Sequence, residues 1–381
     1  MATEVRRHKF IHADSMIIFV TLCLVLLGTV MVYSASSPVA AENFGGNTYF
    51  LKKHLVMLFL GLFAMFTAFL TPLQTLKKQA FPMLVVVFIL LLFVDFSTFG
   101  VEAKHATRWL NIAGFRFQPS ELAKPVVILF VASYIERVGR KLEKFVEGLL
   151  PILTIVGTIC LALLKQPDFG TAVTIGFTAL VMLFVANARM KHILILLFGG
   201  MISAYFLVMS VAYRRDRVLS FLDPWSDPQG KGFQIIQSFI AFKRGGIHGQ
   251  GLGDGTQKLL YLPEAHTDFI YSVIAEELGF LGCAVVILLF AVLVFRGLSL
   301  SLKIRDTFGS VLALGLTTLL GIQAFFNMGV VMGLLPTKGL TLPFVSYGGS
   351  ALIANMFCIG LLLSLSANVG SGERMAKRRI G

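Results

Sequence analysis

Charged residues are scarce in this sequence of 381 residues. Asp, Glu, Lys and Arg together make up 14% of it, whereas hydrophobic residues make up 56%. A soluble domain is excluded, because such chains carry about 25% charged residues, and intrinsic disorder is excluded because it requires low hydrophobicity. Cysteine is also rare: the four cysteines lie in apolar runs and form no C-x-x-C pair, which argues against a structural zinc site or a disulfide framework. The composition instead predicts a protein that resides in the lipid bilayer.

Long apolar runs dominate what is present. A transmembrane helix needs about 20 mostly apolar residues, and ten runs come close to this requirement. They lie near 15–36, 54–71, 79–96, 119–135, 147–164, 169–187, 191–213, 268–295, 307–333 and 348–369. We therefore expect an all-α polytopic membrane protein of about ten transmembrane helices, with residues 15–369 forming one integral membrane domain.

The distribution of Lys and Arg predicts the orientation of these spans. The two termini and the loops after spans two, four, six and eight contain 18 Lys and Arg, whereas the short loops on the opposite side contain 7. Cytoplasmic loops are enriched in Lys and Arg. The tails 1–14 and 370–381 are therefore expected in the cytoplasm, and the long loop 214–267, between spans seven and eight, is expected outside. The net charge of +13 then reflects topology and contact with anionic membrane lipid, so no nucleic-acid partner is expected.

The 214–267 loop contains an amphipathic segment followed by a glycine-rich one. Residues 233–243 carry apolar side chains at helical spacing, which indicates either an interfacial or re-entrant helix or a helix packed on its own loop. The glycines of 245–255 do not have the spacing of a nucleotide-binding motif. A tight irregular loop close to a ligand is the favoured interpretation of these glycines.

Ionisable residues at membrane depth are candidates for function. Glu121 and Lys124 are three residues apart on one helix face, so they form either a structural ion pair or part of a site. Asp168, at the start of span six, is either a helix cap or a functional carboxylate.

A second group of carboxylates lies where span eight begins. Asp268 is either the N-cap of that helix or a carboxylate at the mouth of a cavity. At about 100° per residue, Glu276 lies about 80° and Glu277 about 180° from Asp268 around the helix. We therefore expect that Glu276 and Glu277 do not both face the cavity of Asp268.

Several cations lie in loops on the outer side. Arg108, Lys338 and the cluster Arg214–Arg217 form either a basic surface for an anionic, phosphate-bearing ligand or unrelated solvated charges.

The motifs resemble those of the SEDS family, the RodA/FtsW polytopic proteins of bacterial cell-wall synthesis. The strongest block is Leu262-Pro263-Glu264-Ala265-His266-Thr267-Asp268-Phe269-Ile270. Other matching blocks lie at 107–110, 118–124, 166–172, 232–238, 275–279 and 333–350, in the family's order and over nearly the whole chain. Residues 222–225 and 258–263 are more similar to the division branch, FtsW or its sporulation relative, than to the elongation branch, RodA.

The resemblance implies a peptidoglycan glycosyltransferase that polymerises lipid II into glycan strands at the outer face of the bacterial cytoplasmic membrane, during cell division or elongation. It implies that Asp268 is the catalytic carboxylate. It also implies that the polar and aromatic members of the motifs contact the substrate, namely Arg108, Trp109, Glu121, Lys124, Glu264, His266, Thr267, Lys338 and Ser346.

The resemblance further implies a divalent metal, Mg or Mn, and no nucleotide. Its implied partners are a class B penicillin-binding protein, which supplies the transpeptidase, and other membrane proteins of the divisome or elongasome.

Two other functions fit the same sequence. A lipid II flippase or transporter would also have about ten spans and intramembrane charges, and a non-catalytic divisome scaffold would need only a partner-binding face. A carboxylate on the outer side favours an outward-facing enzyme, because a flippase would require an inward-facing site as well.

Overall fold

The computed structural model describes residues 13–96, 100–103, 106–112, 115–258, 263, 265–337 and 339–380. Helices account for most of them. They are α1 (Ser15–Phe44), α2 (Tyr49–Leu70), α3 (Leu73–Phe96), α4 (Pro119–Val138), α5 (Leu150–Lys165), α6 (Phe169–Val185), α7 (Met190–Met209), α8 (Ala212–Leu222), α9 (Phe233–Gly245), α10 (Ile270–Lys303), α11 (Thr307–Val331) and α12 (Gly349–Ile380). Short 3₁₀ segments occupy Gly139–Glu143 and Pro224–Ser226, and a π-helical turn occupies Phe145–Leu149.

Each of the ten predicted spans lies on one of these helices. Eight helical stretches among the described residues are long and apolar enough to cross a membrane. Of the other two, α6 has only 17 residues, and α4 carries Glu121, Lys124, Glu136 and Arg137. The all-α polytopic fold is therefore confirmed, and the number of ten spans stays a prediction.

The centre of the bundle is formed by α11 and α12. Their most apolar stretches are 72% and 89% buried, against 11% for that of α7. Small residues allow α12 to approach α2: a Cβ added to Gly360 would lie 2.2 Å from the main-chain oxygen of Met65. Close approach at small residues is typical of helix packing in membranes, where the hydrophobic effect does not drive helices together.

A small antiparallel sheet joins α3 to α4. Its strands are β1 (Gly100–Ala103), β2 (Ala106–Ile112) and β3 (Phe115–Phe117), in the order β1-β2-β3. Trp109 pairs with Val101, and Leu110 pairs with Phe117. We expected Arg108 and Trp109 in a loop; they lie instead on the central strand of this sheet.

The sheet lies at the same end of the bundle as the long loop. Contacts bring the starts of α2, α4, α6, α10 and α12 together at this end: Phe50 lies against His266, and Arg108 bonds to Pro167. The main-chain N–H of Gln118 before α4 also donates to Ser350 Oγ at the start of α12, at 3.0 Å. We call this end, with the sheet, α8, α9 and the segments 246–258, 265–269, 332–337 and 339–348, the loop end.

The amphipathic segment of the long loop forms α9 and packs into the bundle. The Ser238 hydroxyl donates to the main-chain oxygen of Val331 on α11 at 2.6 Å and lies 2.7 Å from Ser272 Oγ on α10. Both serines are fully buried. The contacts with α10 and α11 argue against a helix packed only on its own loop and favour the other interpretation, an interfacial or re-entrant helix.

Candidate functional site

Asp268 lies at the loop end, in the turn that precedes α10. Phe269 occupies the N-cap position of that helix, so the interpretation of Asp268 as the N-cap is wrong. A Cβ added to Gly339 would lie 3.3 Å from Asp268 Oδ2, which places the carboxylate over the backbone of the loop between α11 and α12. The absence of a side chain at Gly339 therefore leaves room beside the carboxylate.

Asn327, near the end of α11, connects the two sides of this site. Its Nδ2 donates to the main-chain oxygen of Asp268 at 2.9 Å and to that of Leu340 at 2.6 Å. The side chain is 2% exposed. One buried amide thus fixes the backbone of Asp268 and that of the loop lying against its carboxylate.

Aromatic rings form the wall next to Asp268. The ring centroid of His266 lies 4.9 Å from that of Phe50 on α2 and 5.6 Å from that of Tyr347. The main-chain N–H of Tyr347 donates to the main-chain oxygen of His266 at 2.9 Å. Flat apolar faces beside a carboxylate are suited to a sugar ring or a prenyl chain.

A buried ion pair lies deeper in the bundle. Lys124 Nζ is 2.7 Å from Glu121 Oε2 and donates to Gln323 Oε1 at 3.1 Å, so the interpretation of these two residues as an ion pair is confirmed. Gln323 is four residues before Asn327 on α11, which corresponds to about 6 Å along the helix. The contact of Gln323 with the ion pair and the contact of Asn327 with Asp268 therefore lie about one turn apart on α11. We call the two bonds of Asn327 the Asp268 clamp.

Arg108 supports the junction between α5 and α6. Its Nε donates to the main-chain oxygen of Gln166 at 2.9 Å, and its Nη2 donates to that of Pro167. Asp168, next in sequence, is the N-cap of α6 and accepts from the main-chain N–H of Thr171 at 3.2 Å, as the cap interpretation predicted. The guanidinium thus contacts main-chain carbonyls at the loop end.

The remaining predicted residues are placed as follows. Thr267 lies in the turn with Asp268, and Ser346 is buried, its Oγ accepting from the main-chain N–H of Leu342 at 2.9 Å. Glu264 and Lys338 lie outside the described residues. Arg214 donates to the main-chain oxygen of Leu207 at 3.1 Å, which places its guanidinium against the end of α7.

The glycine-rich segment 245–255 meets α10 where that helix is interrupted. Gly279 has φ 66° and ψ −163°, which breaks the helix inside α10. The main-chain N–H group of Gln250 donates to the main-chain oxygen of Glu276 at 3.0 Å, and that of Gly251 donates to the main-chain oxygen of Glu277 at 3.1 Å. A Cβ on Gly249 would lie 2.2 Å from the oxygen of Glu277, so these glycines permit contact with the protein's own backbone.

The sequence matches the model of a known protein family. The model described as "Cell cycle protein", for FtsW, RodA and SpoVE, matches residues 14–370. The chain belongs to this family.

Curated members of the FtsW/RodA/SpoVE family align over nearly the full length. The chain is 48% identical over 356 residues to the probable peptidoglycan glycosyltransferase FtsW of Geobacter metallireducens, covering 93% of this chain and 95% of that protein. It is 40% identical over 353 residues to the stage V sporulation protein E of Bacillus subtilis, covering 93% and 96%. The resemblance seen in the motifs is confirmed.

Solved structures of the family share the fold. A chain from a structure titled "Structural coordination of polymerization and crosslinking by a peptidoglycan synthase complex" matches with a TM-score of 0.77 at 33% identity, covering 94% of this chain and 98% of that one. The rod shape determining protein RodA of Thermus thermophilus matches with a TM-score of 0.68 at 29% identity, covering 93% and 96%.

Sequence reasoning missed the two amides of α11 that hold the site of this family member together. Gln323 and Asn327 are an i, i+4 pair of polar residues inside an apolar span. Side-chain amides at membrane depth usually bond across helices, and this spacing was the available signal.

Proposed function

We propose that the chain is a peptidoglycan glycosyltransferase that polymerises lipid II in the bacterial cytoplasmic membrane. The observation that carries the proposal is Asp268, whose carboxylate lies over Gly339 while Asn327 fixes its backbone. Support also comes from the names of the FtsW relatives at up to 48% identity over 93% of the chain. The active site faces outward in this proposal, because the Lys and Arg distribution puts the loop end on the low-charge side.

In the proposed reaction, Asp268 acts as general base. The 4-hydroxyl of the acceptor sugar attacks the anomeric carbon of the donor, Asp268 takes the hydroxyl proton, and the lipid pyrophosphate leaves. A positioned general base contributes about 10²–10⁴-fold to the rate. The bond that breaks, between the anomeric carbon and the pyrophosphate, supplies the driving force, so no nucleotide is required.

The leaving pyrophosphate requires positive charge. Arg108 at the junction of α5 and α6, Lys338 and the Arg214–Arg217 cluster are the proposed sources of this charge. Glu121 and Lys124, which form an ion pair, are proposed substrate contacts. His266, Trp109, Thr267, Glu264 and Ser346 complete the proposed substrate contacts. In this proposal the basic groups bind the pyrophosphate, and the aromatic groups bind the sugar and the lipid.

A divalent metal fits the donor chemistry of this site when the substrate supplies part of the ligands. Among the described residues, no three His, Cys, Asp or Glu side chains are grouped to hold an ion. Mg²⁺ characteristically binds one or two carboxylates together with substrate phosphates. A Mg²⁺ or Mn²⁺ ion held by Asp268 and by the pyrophosphate would neutralise the negative charge of the leaving pyrophosphate.

We propose a class B penicillin-binding protein as the partner that cross-links the new strands. Support comes from the matched solved chain, whose title describes a peptidoglycan synthase complex in which polymerisation and crosslinking are coordinated. Other membrane proteins of the division or elongation machinery are further proposed partners.

Reconstitution with labelled lipid II tests the proposed function. The purified chain is placed in lipid vesicles, with and without its transpeptidase partner, and the products are separated on a gel. Glycan ladders are the expected result. Transfer of labelled lipid II between leaflets without ladders would replace the proposal with a flippase, and the absence of both activities with the partner present would favour a scaffold.

A further inference from the structure

The short first segment of α10 links Asp268 to a second polar centre. Residues 270–278 form about two and a half turns, roughly 13 Å of helix, between Asp268 and the break at Gly279. Asn327 fixes the Asp268 end of this segment. Because the break interrupts the helix, the rest of α10 does not by itself fix the other end.

Glu277, at that other end, is the centre of a hydrogen-bonded cluster. Its carboxylate accepts from Lys258 Nζ at 2.6 Å and from the Ser34 hydroxyl at 2.6 and 2.8 Å. Lys258 Nζ also donates to Ser34 Oγ at 2.9 Å. We call Ser34, Lys258 and Glu277 the polar lock.

The two charged members of the polar lock are buried. The side chains of Lys258 and Glu277 are 5% and 0% exposed. Two charges removed from water in this way are stable only when they are paired and fully hydrogen-bonded. Either partner left alone would draw in water or move toward it.

The lock also closes the glycine-rich segment onto the helix break. Lys258 Nζ donates to the main-chain oxygen of Gly253 at 2.6 Å, and the main-chain N–H of Gly253 donates to Glu277 Oε2 at 3.2 Å. The adjacent Glu276 accepts from the main-chain N–H of Thr256 and of Gln257, each at 3.0 Å. The two neighbouring carboxylates therefore bind the segment that leads to Asp268.

We infer that the polar lock is a positioning device for Asp268. It holds the break end of residues 270–278 against α1 and the glycine-rich segment, so that the helix segment presents Asp268 to Gly339 in a fixed register. Ser34, Lys258 and Glu277 are positioning residues that act through this segment. The inference rests on the proposed function where it is tested by enzymatic activity. Its structural test is the protection of nearby main-chain amides from hydrogen exchange, which does not require activity.

Breaking the lock should misplace Asp268 without unfolding the bundle. A displacement of about 1 Å at a reacting group costs on the order of 10²-fold in rate. Glu277→Gln and Lys258→Met should each lower kcat for lipid II polymerisation by about this factor with little change in KM. Ser34→Ala, which keeps the ion pair, should show a smaller loss in the same direction.

The double variant Lys258→Met/Glu277→Gln tests whether the two charges act as a pair. Each single variant leaves one buried charge uncompensated, and the double variant leaves none, so the double should be more active than either single. Lys144→Met is the matched control, because Lys144 pairs with Glu147 at 2.9 Å on the surface, 62% exposed, and should not change the rate.

Hydrogen exchange provides a readout that does not depend on enzymatic activity. The amides of Gln250 and Gly251 should exchange faster in Glu277→Gln than in the unsubstituted chain, while those of α11 and α12 stay protected. Unchanged kcat in both single variants, or loss of protection through the whole bundle with no recovery in the double, would overturn the inference. If the unsubstituted chain forms no glycan, the proposed function fails, and the exchange of these two amides still decides whether the lock exists.

Discussion

At the scale of single residues, Asn327 shows how a membrane helix holds a catalytic candidate in place. Its Nδ2 serves two main-chain oxygens, whereas its Oδ1 has no hydrogen-bond partner among the described residues. The amide therefore acts as a donor in this structure. Without it, the oxygens of Asp268 and Leu340 would lose a buried donor.

Asn327→Leu should impair both stability and activity. Each buried carbonyl that loses its partner costs about 1–3 kcal/mol, and displacement of Asp268 should lower polymerisation by about tenfold to a hundredfold. Thermal unfolding in detergent and the glycan assay measure the two effects. Asn355→Leu is the control, because Asn355 is equally buried but its Nδ2 has no partner among the described residues. Equal losses in both variants would contradict the clamp.

Variants of the Glu121–Lys124 pair distinguish an effect on stability from an effect on substrate binding. Removing one member leaves a buried charge uncompensated, so Glu121→Gln and Lys124→Met should each lower the unfolding free energy by about 3–5 kcal/mol. The double variant should recover most of that stability, because it leaves no charge. Thermal unfolding of the three variants measures the change in stability.

Activity of the same double variant then tests the predicted substrate contact. If Glu121 and Lys124 contact the substrate, the double variant should be stable but slow in polymerisation. A double variant with the activity of the unsubstituted chain would reduce Lys124 to a structural role.

At the scale of elements, the sequence predicts what depends on local pattern and misses what depends on distant pairing. Long apolar runs placed the helices, and the spacing of Glu121 and Lys124 predicted their ion pair. The β1-β2-β3 sheet was missed because its strands are short and lack a strong alternation. The break at Gly279 was missed because its broken hydrogen bonds are replaced by residues 246–251, which lie about thirty positions earlier in the sequence.

The contact between α2 and α12 provides a test of element packing. Gly360→Ala should destabilise the chain by about 1–3 kcal/mol, because the added methyl meets the backbone at Met65. Gly157→Ala on α5 is the matched change, since a Cβ there meets nothing within 4 Å. It should be neutral or stabilising by up to about 1 kcal/mol, from helix propensity. Thermal unfolding that ranks the two variants in the opposite order would contradict this packing.

For the whole molecule, the proposed function requires that the loop end faces the outer side of the membrane. Ser226 lies at the loop end, and Lys141 lies between α4 and α5 at the opposite end; both are exposed. In a background without the four native cysteines, Ser226→Cys should react with a membrane-impermeant maleimide in intact cells. Lys141→Cys should react only after the cells are opened. The reverse pattern would place the site in the cytoplasm.

The central claim is that Asp268 is the catalytic carboxylate of a glycan polymerase. The most direct measurement is the rate of glycan formation from labelled lipid II by Asp268→Asn, beside Glu147→Gln, which neutralises a carboxylate in a surface ion pair with Lys144 between α4 and α5. We expect Asp268→Asn to fold normally and to lose about 10²–10⁴-fold in rate, while Glu147→Gln keeps its rate. Glycan ladders from Asp268→Asn at the rate of the unsubstituted chain would contradict it.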